Sequence, residues 1–244
     1  FLVGHVTKGG YIAGPKVVEH MVDTVLYFDS GSAEIRILHC AKNRFGSVDE
    51  IGIFEMGEKG LSQVENPASV FLTSRSGDEP PGTAVAPVYE GSRILLVEIQ
   101  SLVVPAKGGV SRVFSERIES ARVSRMAAVL EKHLKVRLSD QDIYVNVGGG
   151  IRIGEVGVDL SLCLSLYSAR INQPIPSRTA VVGEISLAGE VRPVGHLDRR
   201  IKAVQELGFT RLISPPPKEQ KPQLPELCVP VASLAEAARV GFQT

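Results

Sequence analysis

Between Thr73 and Pro87 the chain loses its hydrophobic period and carries three prolines and two glycines among mixed charges. Proline fixes φ and removes a hydrogen-bond donor, so such a stretch interrupts helices and central strands alike. It reads as a linker over residues 74–87, dividing the 244 residues into segments 1–73 and 88–244. With 43% hydrophobic and 22% charged residues, both segments have globular composition, which excludes wholesale disorder and collagen-like character. Aromatic residues make up 5% and Trp is absent, which argues against a carbohydrate-stacking protein. Lys+Arg and Asp+Glu are both 27, so any nucleic-acid footprint must be local. Cys40, Cys163 and Cys228 are too scattered for a disulfide framework or a four-cysteine zinc site, and a reducing, cytoplasmic setting is expected. No apolar run approaches the roughly 18 residues of a membrane span, so no membrane partner is expected.

The chain opens on the apolar run Phe1-Leu2-Val3-Gly4, which reads as a buried parallel strand and suggests the later part of a longer protein. His5 to Lys16 is a Gly/Pro-rich polar loop, and Lys16 to Met21 a short helix. Asp23–Phe28, Glu34–Cys40 and Ile51–Met56 read as successive antiparallel strands, the antiparallel edge of a mixed sheet. In the second segment Val123, Met126, Ala127, Leu130 and Leu134 fall at helical spacing, with Arg122, Arg125, Glu131 and Lys132 elsewhere on the wheel. Leu160 to Ala169 is apolar nearly all round and reads as a central helix. Ala180–Ile185 reads as a strand, Leu197–Leu207 as a helix stopped by Gly208, and Ser233 as a helix cap. The fold expected is α/β followed by α+β.

No Walker A loop, H-E-x-x-H or paired Cys-x-x-Cys occurs. Gly148-Gly149-Gly150 misses the dinucleotide spacing by one position and reads as a tight turn. Lys42-Asn43-Arg44-Phe45-Gly46 places two cations one residue apart at a strand end. They suit contact with a transferring phosphoryl group and equally suit a solvated strand end. From Lys107 to Arg137, eight cations (Lys107, Arg112, Arg117, Arg122, Arg125, Lys132, Lys135, Arg137) face three acids, a local excess of +5. This is either a solvated surface or a DNA-tracking one.

Gly4–Lys8, Ile12–Phe28, the intact Lys42–Gly46 motif and Glu50–Met56 together resemble the bacterial DNA-repair RadA (Sms) family, and the likeness extends into the second segment. That resemblance implies the end of a RecA-like ATPase core, a mixed sheet with an antiparallel edge, over 1–73. It implies a Lon-protease-like, S5-domain-2-like α+β domain over 88–244. It implies an ATP-dependent DNA motor in homologous recombination, with ATP and Mg²⁺ as cofactors of the full-length protein and none held by this chain alone. Zinc would belong to an N-terminal finger outside the chain. Single-stranded and branched DNA, a RecA-type recombinase and a homo-oligomeric, hexameric ring are the implied partners. Lys42 and Arg44 are implied to contact a neighbouring subunit's nucleotide in trans, His5 to sense the γ-phosphate, and Lys8 and Lys16 to lie in the DNA loop. Arg112, Arg117 and Arg122 belong to the local basic bias.

Thr179 to Leu207 resembles the Lon stretch T-G-E-I-T-L-R-G-x-V-L-P-I-G-G-L. Ungapped counting from Gly183-Glu184 puts the Lon nucleophile position at Gly157 and its lysine at Arg200. Glycine offers no nucleophile and arginine stays protonated, so a Ser/Lys peptidase is disfavoured. A displaced alignment would offer Ser161, inside the apolar helix. A purely structural oligomerisation module is the other alternative.

Overall fold

The computed structural model describes residues 1–4, 17–30, 34–48, 50–64, 67–73, 79–107, 110–217 and 224–243. They form two compact units that divide between Gln63 and Val64.

In the first unit a short helix, α1 (Val17–Met21), precedes four antiparallel strands. These are β1 (Thr24–Ser30), β2 (Ile35–Asn43), β3 (Ile51–Gly57) and β4 (Gly60–Gln63), paired in sequence order. Alternation in β2 and β3 buries Ile35, Ile37, Ile51 and Ile53. The expected hairpins are present, and β4 adds a strand that its short polar sequence did not announce. Phe1–Gly4 corrects one expectation. It is exposed and forms no strand, because an apolar run becomes a strand only beside a partner and none is offered to it among the described residues.

The second unit is built on a seven-stranded mixed sheet. Its strands are β5 (Thr83–Glu90), β6 (Arg93–Pro105), β7 (Val113–Ser115), β8 (Gln141–Val147), β9 (Thr179–Val181), β12 (Arg211–Ser214) and β13 (Cys228–Pro230). Their spatial order is β13-β12-β9-β5-β6-β8-β7. The helices are α2 (Ser120–Leu134), α3 (Asp159–Ile171), α4 (Leu197–Glu206) and α5 (Leu234–Gly241), and a small hairpin pairs β10 (Glu184–Ile185) with β11 (Val191–Arg192). Leu95, Leu96, Val97 and Ile99 in β6 are fully buried, which requires cover on both faces of the sheet. One face packs Ile94 and Leu96 with Ile201 and Val204 of α4. α3 packs along β5 and β6 and carries Leu160, Leu162, Leu164 and Leu166 in full burial, as its all-round apolar sequence requires.

The linker expectation is corrected as well. Thr83–Val88 is a buried central strand, registered with Gln100–Leu95 of β6. Pro87 is tolerated there because β9 joins β5 at Val85, two residues earlier, so the missing N–H falls beyond that parallel pairing. Phe71, 2% exposed, bridges to Val97 and belongs to this second core. Gly148–Gly150 is indeed a tight turn: Gly149 has φ +68° and a Cβ there would strike the Phe71 ring. No helix among the described residues is long and apolar enough to cross a membrane.

Candidate functional site

The segment from Gly154 to Asp159 enters α3 through a single 3-10 turn at Val156–Val158, and two buried arginines hold it. Arg122 of α2 donates from Nε to Asp159 Oδ1 at 2.7 Å, from Nη2 to the Glu155 carbonyl at 2.6 Å and from Nη1 to the Gly154 carbonyl at 3.3 Å. Arg200 of α4, 1% exposed, donates to both carboxylate oxygens of Glu155, to the Gly195 carbonyl and to the Pro87 carbonyl. Glu155 Oε2 also accepts the Tyr89 N–H at 2.7 Å. Burial pushes the Asp159 carboxyl above the usual aspartate range, with the Arg122 charge and hydrogen bond opposing it.

Gly157 closes this arrangement. A Cβ at that position would lie 2.8 Å from Glu155 Oε1 and 3.4 Å from Val194 Cγ1. Any side chain there would press on the carboxylate that neutralises Arg200. Ser161, the displaced candidate, is fully buried and donates to the Val181 carbonyl at 2.6 Å. Cys163 lies in the same helix interior, where burial pushes its thiol far up. Gly157 brings no nucleophile, Arg200 no base, and the nearby Ser161 and Cys163 are locked in the core. What the arrangement does chemically is fix a loop: six carbonyl or carboxylate contacts hold residues 154–159 in one geometry.

In the first unit the Lys42–Gly46 motif separates into distinct roles. Lys42 Nζ donates to the carbonyls of Glu19 (2.8 Å), Val22 (2.7 Å) and His20 (3.3 Å), so the ammonium caps the C-terminal end of α1. Asn43 builds the turn, accepting the Phe45 N–H at 3.2 Å, and a Cβ at Gly46 would strike its amide. Arg44 pairs with Asp23 at 3.1 Å while its side chain stays 59% exposed, and Phe45 beside it is 85% exposed. The two cations are near one another, with Arg44 turned to solvent and Lys42 occupied by backbone.

The basic stretch is likewise unequal. Arg122 is buried, which corrects its placement on the wet side of α2; the apolar period of that helix leaves room for one arginine once Asp159 neutralises it. Arg112 is exposed and forms a paired contact with Asp142, Nε to Oδ1 at 3.2 Å and Nη2 to Oδ2 at 2.5 Å. That contact holds the Asp142 carboxyl below its usual range. Arg117 is half-buried, while Lys107, Arg125, Lys132, Lys135 and Arg137 face solvent. His5, Lys8 and Lys16 lie outside the described residues. Sequence reasoning passed over Glu155 and Asp159. An acid opening an apolar helix, and an acid two residues before the glycine in the nucleophile's place, were the available signals.

Residues 82–237 match the Lon protease (S16) C-terminal proteolytic domain. The chain is 58% identical over 215 residues to DNA repair protein RadA of Treponema pallidum (strain Nichols), covering 88% of this chain and 47% of that protein. It is 44% identical over 246 residues to DNA repair protein RadA of Bacillus subtilis (strain 168), covering 99% and 53%. Against DNA repair protein RadA of Pseudomonas aeruginosa PAO1 the identity is 45% over 216 residues, covering 88% and 48%. The chain thus spans about half the length of the curated relatives it matches. By that match over most of its second unit and by these identities, the chain belongs to the Lon protease (S16) C-terminal domain family and is a homologue of the RadA DNA repair proteins.

Proposed function

We propose that the chain acts in DNA repair and recombination as the DNA-contacting and ring-assembling part of an ATP-driven branch-migration motor, with its Lon-like unit a scaffold and not a peptidase. The observation that carries this reading is the buried Arg200 paired with Glu155 beside Gly157, where counting along the Lon-like stretch puts the lysine and serine that proteolysis would need. Because the Lon-like fold is otherwise intact, its surfaces are what remains to be used.

ATP with Mg²⁺ is the cofactor implied for the whole protein. The residues present fit a contributing role, because Arg44 is an exposed guanidinium able to reach a phosphate held by a neighbouring subunit. Lys42 supports it from behind by fixing the α1–β1 junction. His5 as γ-phosphate sensor and Lys8 and Lys16 as DNA contacts remain part of this proposal, as do the hexameric ring and a RecA-type recombinase partner.

The test uses the 244-residue chain and the full-length protein together. The chain alone should bind DNA at low salt with an affinity that falls steeply as salt rises, should not cleave casein, and should resist a serine-reactive probe. In the full-length protein, Arg44→Lys should lower DNA-stimulated ATPase activity while rings still form. Casein cleavage by the chain, or a salt-independent DNA affinity, would overturn the proposal.

A further inference from the structure

The two cations of the Lys42–Gly46 motif differ in how many hydrogen-bond donors they have left. An ammonium carries three N–H donors, and Lys42 Nζ directs them at three carbonyls, those of Glu19, His20 and Val22, at 2.8, 3.3 and 2.7 Å. A guanidinium carries five, and Arg44 uses one of them among the described residues, from Nη1 to Asp23 Oδ1 at 3.1 Å. Lys42 is half-buried against the α1–β1 junction, whereas the Arg44 side chain stands 59% exposed. The strands do not place Arg44 by themselves. The β1–β2 ladder shifts register between Val25 and Leu26 and ends at the Thr24–Asn43 pair, one residue short of Arg44. Beyond that pair the Arg44 backbone hangs on the junction: its N–H donates to the Asp23 carbonyl at 3.0 Å, and Asp23 directly follows the last carbonyl that Lys42 grips.

We infer that Lys42 is a positioning residue that serves the neighbouring subunit's phosphate only through Arg44, an inference that rests on the in-trans reading of Arg44 above and deepens it. With all three donors on backbone, Lys42 can reach a phosphate only by releasing the end of α1. The carbonyls at that end carry partial negative charge and hold the ammonium where it is. Arg44 keeps four N–H donors in a planar fork, enough to take two oxygens of a phosphate at once. Such a contact depends on where the guanidinium starts, since a misplacement of about 1 Å can lower a rate a hundredfold. The clamp supplies that placement: Lys42 fixes the carbonyls from Glu19 to Val22, Val22 leads into Asp23, and Asp23 carries Arg44 by both its carbonyl and its carboxylate. The motif thus divides into one cation used up by the fold and one open to a ligand.

A double-mutant cycle in the full-length protein tests this, with DNA-stimulated ATPase activity as the readout and ring assembly checked for each variant. Arg44→Ala and Lys42→Met, which keeps the apolar stem without the ammonium, should each lower kcat by about tenfold or more. Joined, they should cost no more than Arg44→Ala alone, to within about twofold, because a positioning residue then has nothing left to position. A second readout needs no nucleotide. In the 244-residue chain, Lys42→Met should speed amide hydrogen exchange at Val22 and Arg44 by about tenfold or more, while Arg44→Ala should leave Val22 as in the wild type. A further loss of about tenfold on adding Lys42→Met to Arg44→Ala means that Lys42 touches the phosphate itself, and overturns the inference. So does unchanged exchange in Lys42→Met, or an unchanged kcat in that variant while Arg44→Ala is impaired. Wild-type activity in Arg44→Ala overturns the in-trans reading and this role with it, and the exchange rates then report on the clamp alone.

Discussion

Arg200 shows how much one residue can decide. Its guanidinium is buried and balanced by the Glu155 carboxylate, so truncation to Ala leaves a carboxylate without its partner and should destabilise the second unit by about 3–5 kcal/mol. Urea denaturation followed by circular dichroism measures this. Arg200→Lys should also destabilise, since one ammonium cannot reach Glu155, Gly195 and Pro87 together. Gly157→Ala should cost about 1–3 kcal/mol by pressing on Glu155. The cysteines allow a quick check of the core. Burial raises Cys228 to about 11 and pushes Cys163 further, while Cys40 is half-buried. A thiol reagent at neutral pH should therefore modify Cys40 in the native chain and all three only after denaturation. At this scale counting along the chain singled out Gly157 and Arg200, and the structure brings both against Glu155. The sequence was silent on Glu155, because a salt bridge between residues 45 positions apart leaves no periodic trace.

Among the elements, α2 ends in a device that links stability to acid. Its C-cap Lys135 adopts φ 57°, and the Glu131 carboxylate accepts the N–H groups of Leu138 (2.6 Å) and Ser139 (2.8 Å) just beyond. Those hydrogen bonds hold Glu131 below its usual range. Its contribution is therefore complete above the unfolded-state value and is lost as pH falls through the lower folded-state value. Asp140 and Asp142 shift the same way. Asp159 opposes them: its folded-state value is raised, so its contribution declines as pH rises through the interval between the two values. Unfolding midpoints between neutral pH and pH about 3 should fall for the wild-type chain and fall less for Glu131→Gln. Strong periods made α2 and α4 legible, an all-round apolar run did so for α3, and alternation for β1 to β3. Arg122 went to the wrong face because a wheel sorts residues by polarity alone, and the acid that makes its burial tolerable stands on another helix.

For the whole molecule, the boundary between the units is the point at which sequence and structure part most. Proline and glycine density marked 74–87, yet Phe71 and Thr83–Pro87 are inside the second core, and the division falls at Gln63 and Val64. Turn chemistry is read locally, whereas membership of a sheet depends on β6 and β9, which come later in the chain. A fragment starting at Val64 should melt cooperatively, near the temperature of the second unit in the intact chain. One starting at Val88 loses most of β5 and should not fold, and circular dichroism of both decides the matter.

The Arg200–Glu155 pair also bears on descent. If the dyad positions are those reached by counting, as the scaffold reading has it, a return to proteolysis needs a serine at 157, a lysine at 200 and a smaller or neutral group at 155. Taken one at a time, a serine at 157 presses on the carboxylate, a lysine at 200 cannot reach Glu155, Gly195 and Pro87 together, and a neutral group at 155 leaves the buried guanidinium without its counter-ion. Domains of this size are stable by only about 5–15 kcal/mol, and a first step costing several of these meets selection before any benefit exists. On the scaffold reading proposed above, the ion pair works as a ratchet: folding alone holds a lineage that has acquired it away from peptidase activity, whatever advantage cutting peptides would confer.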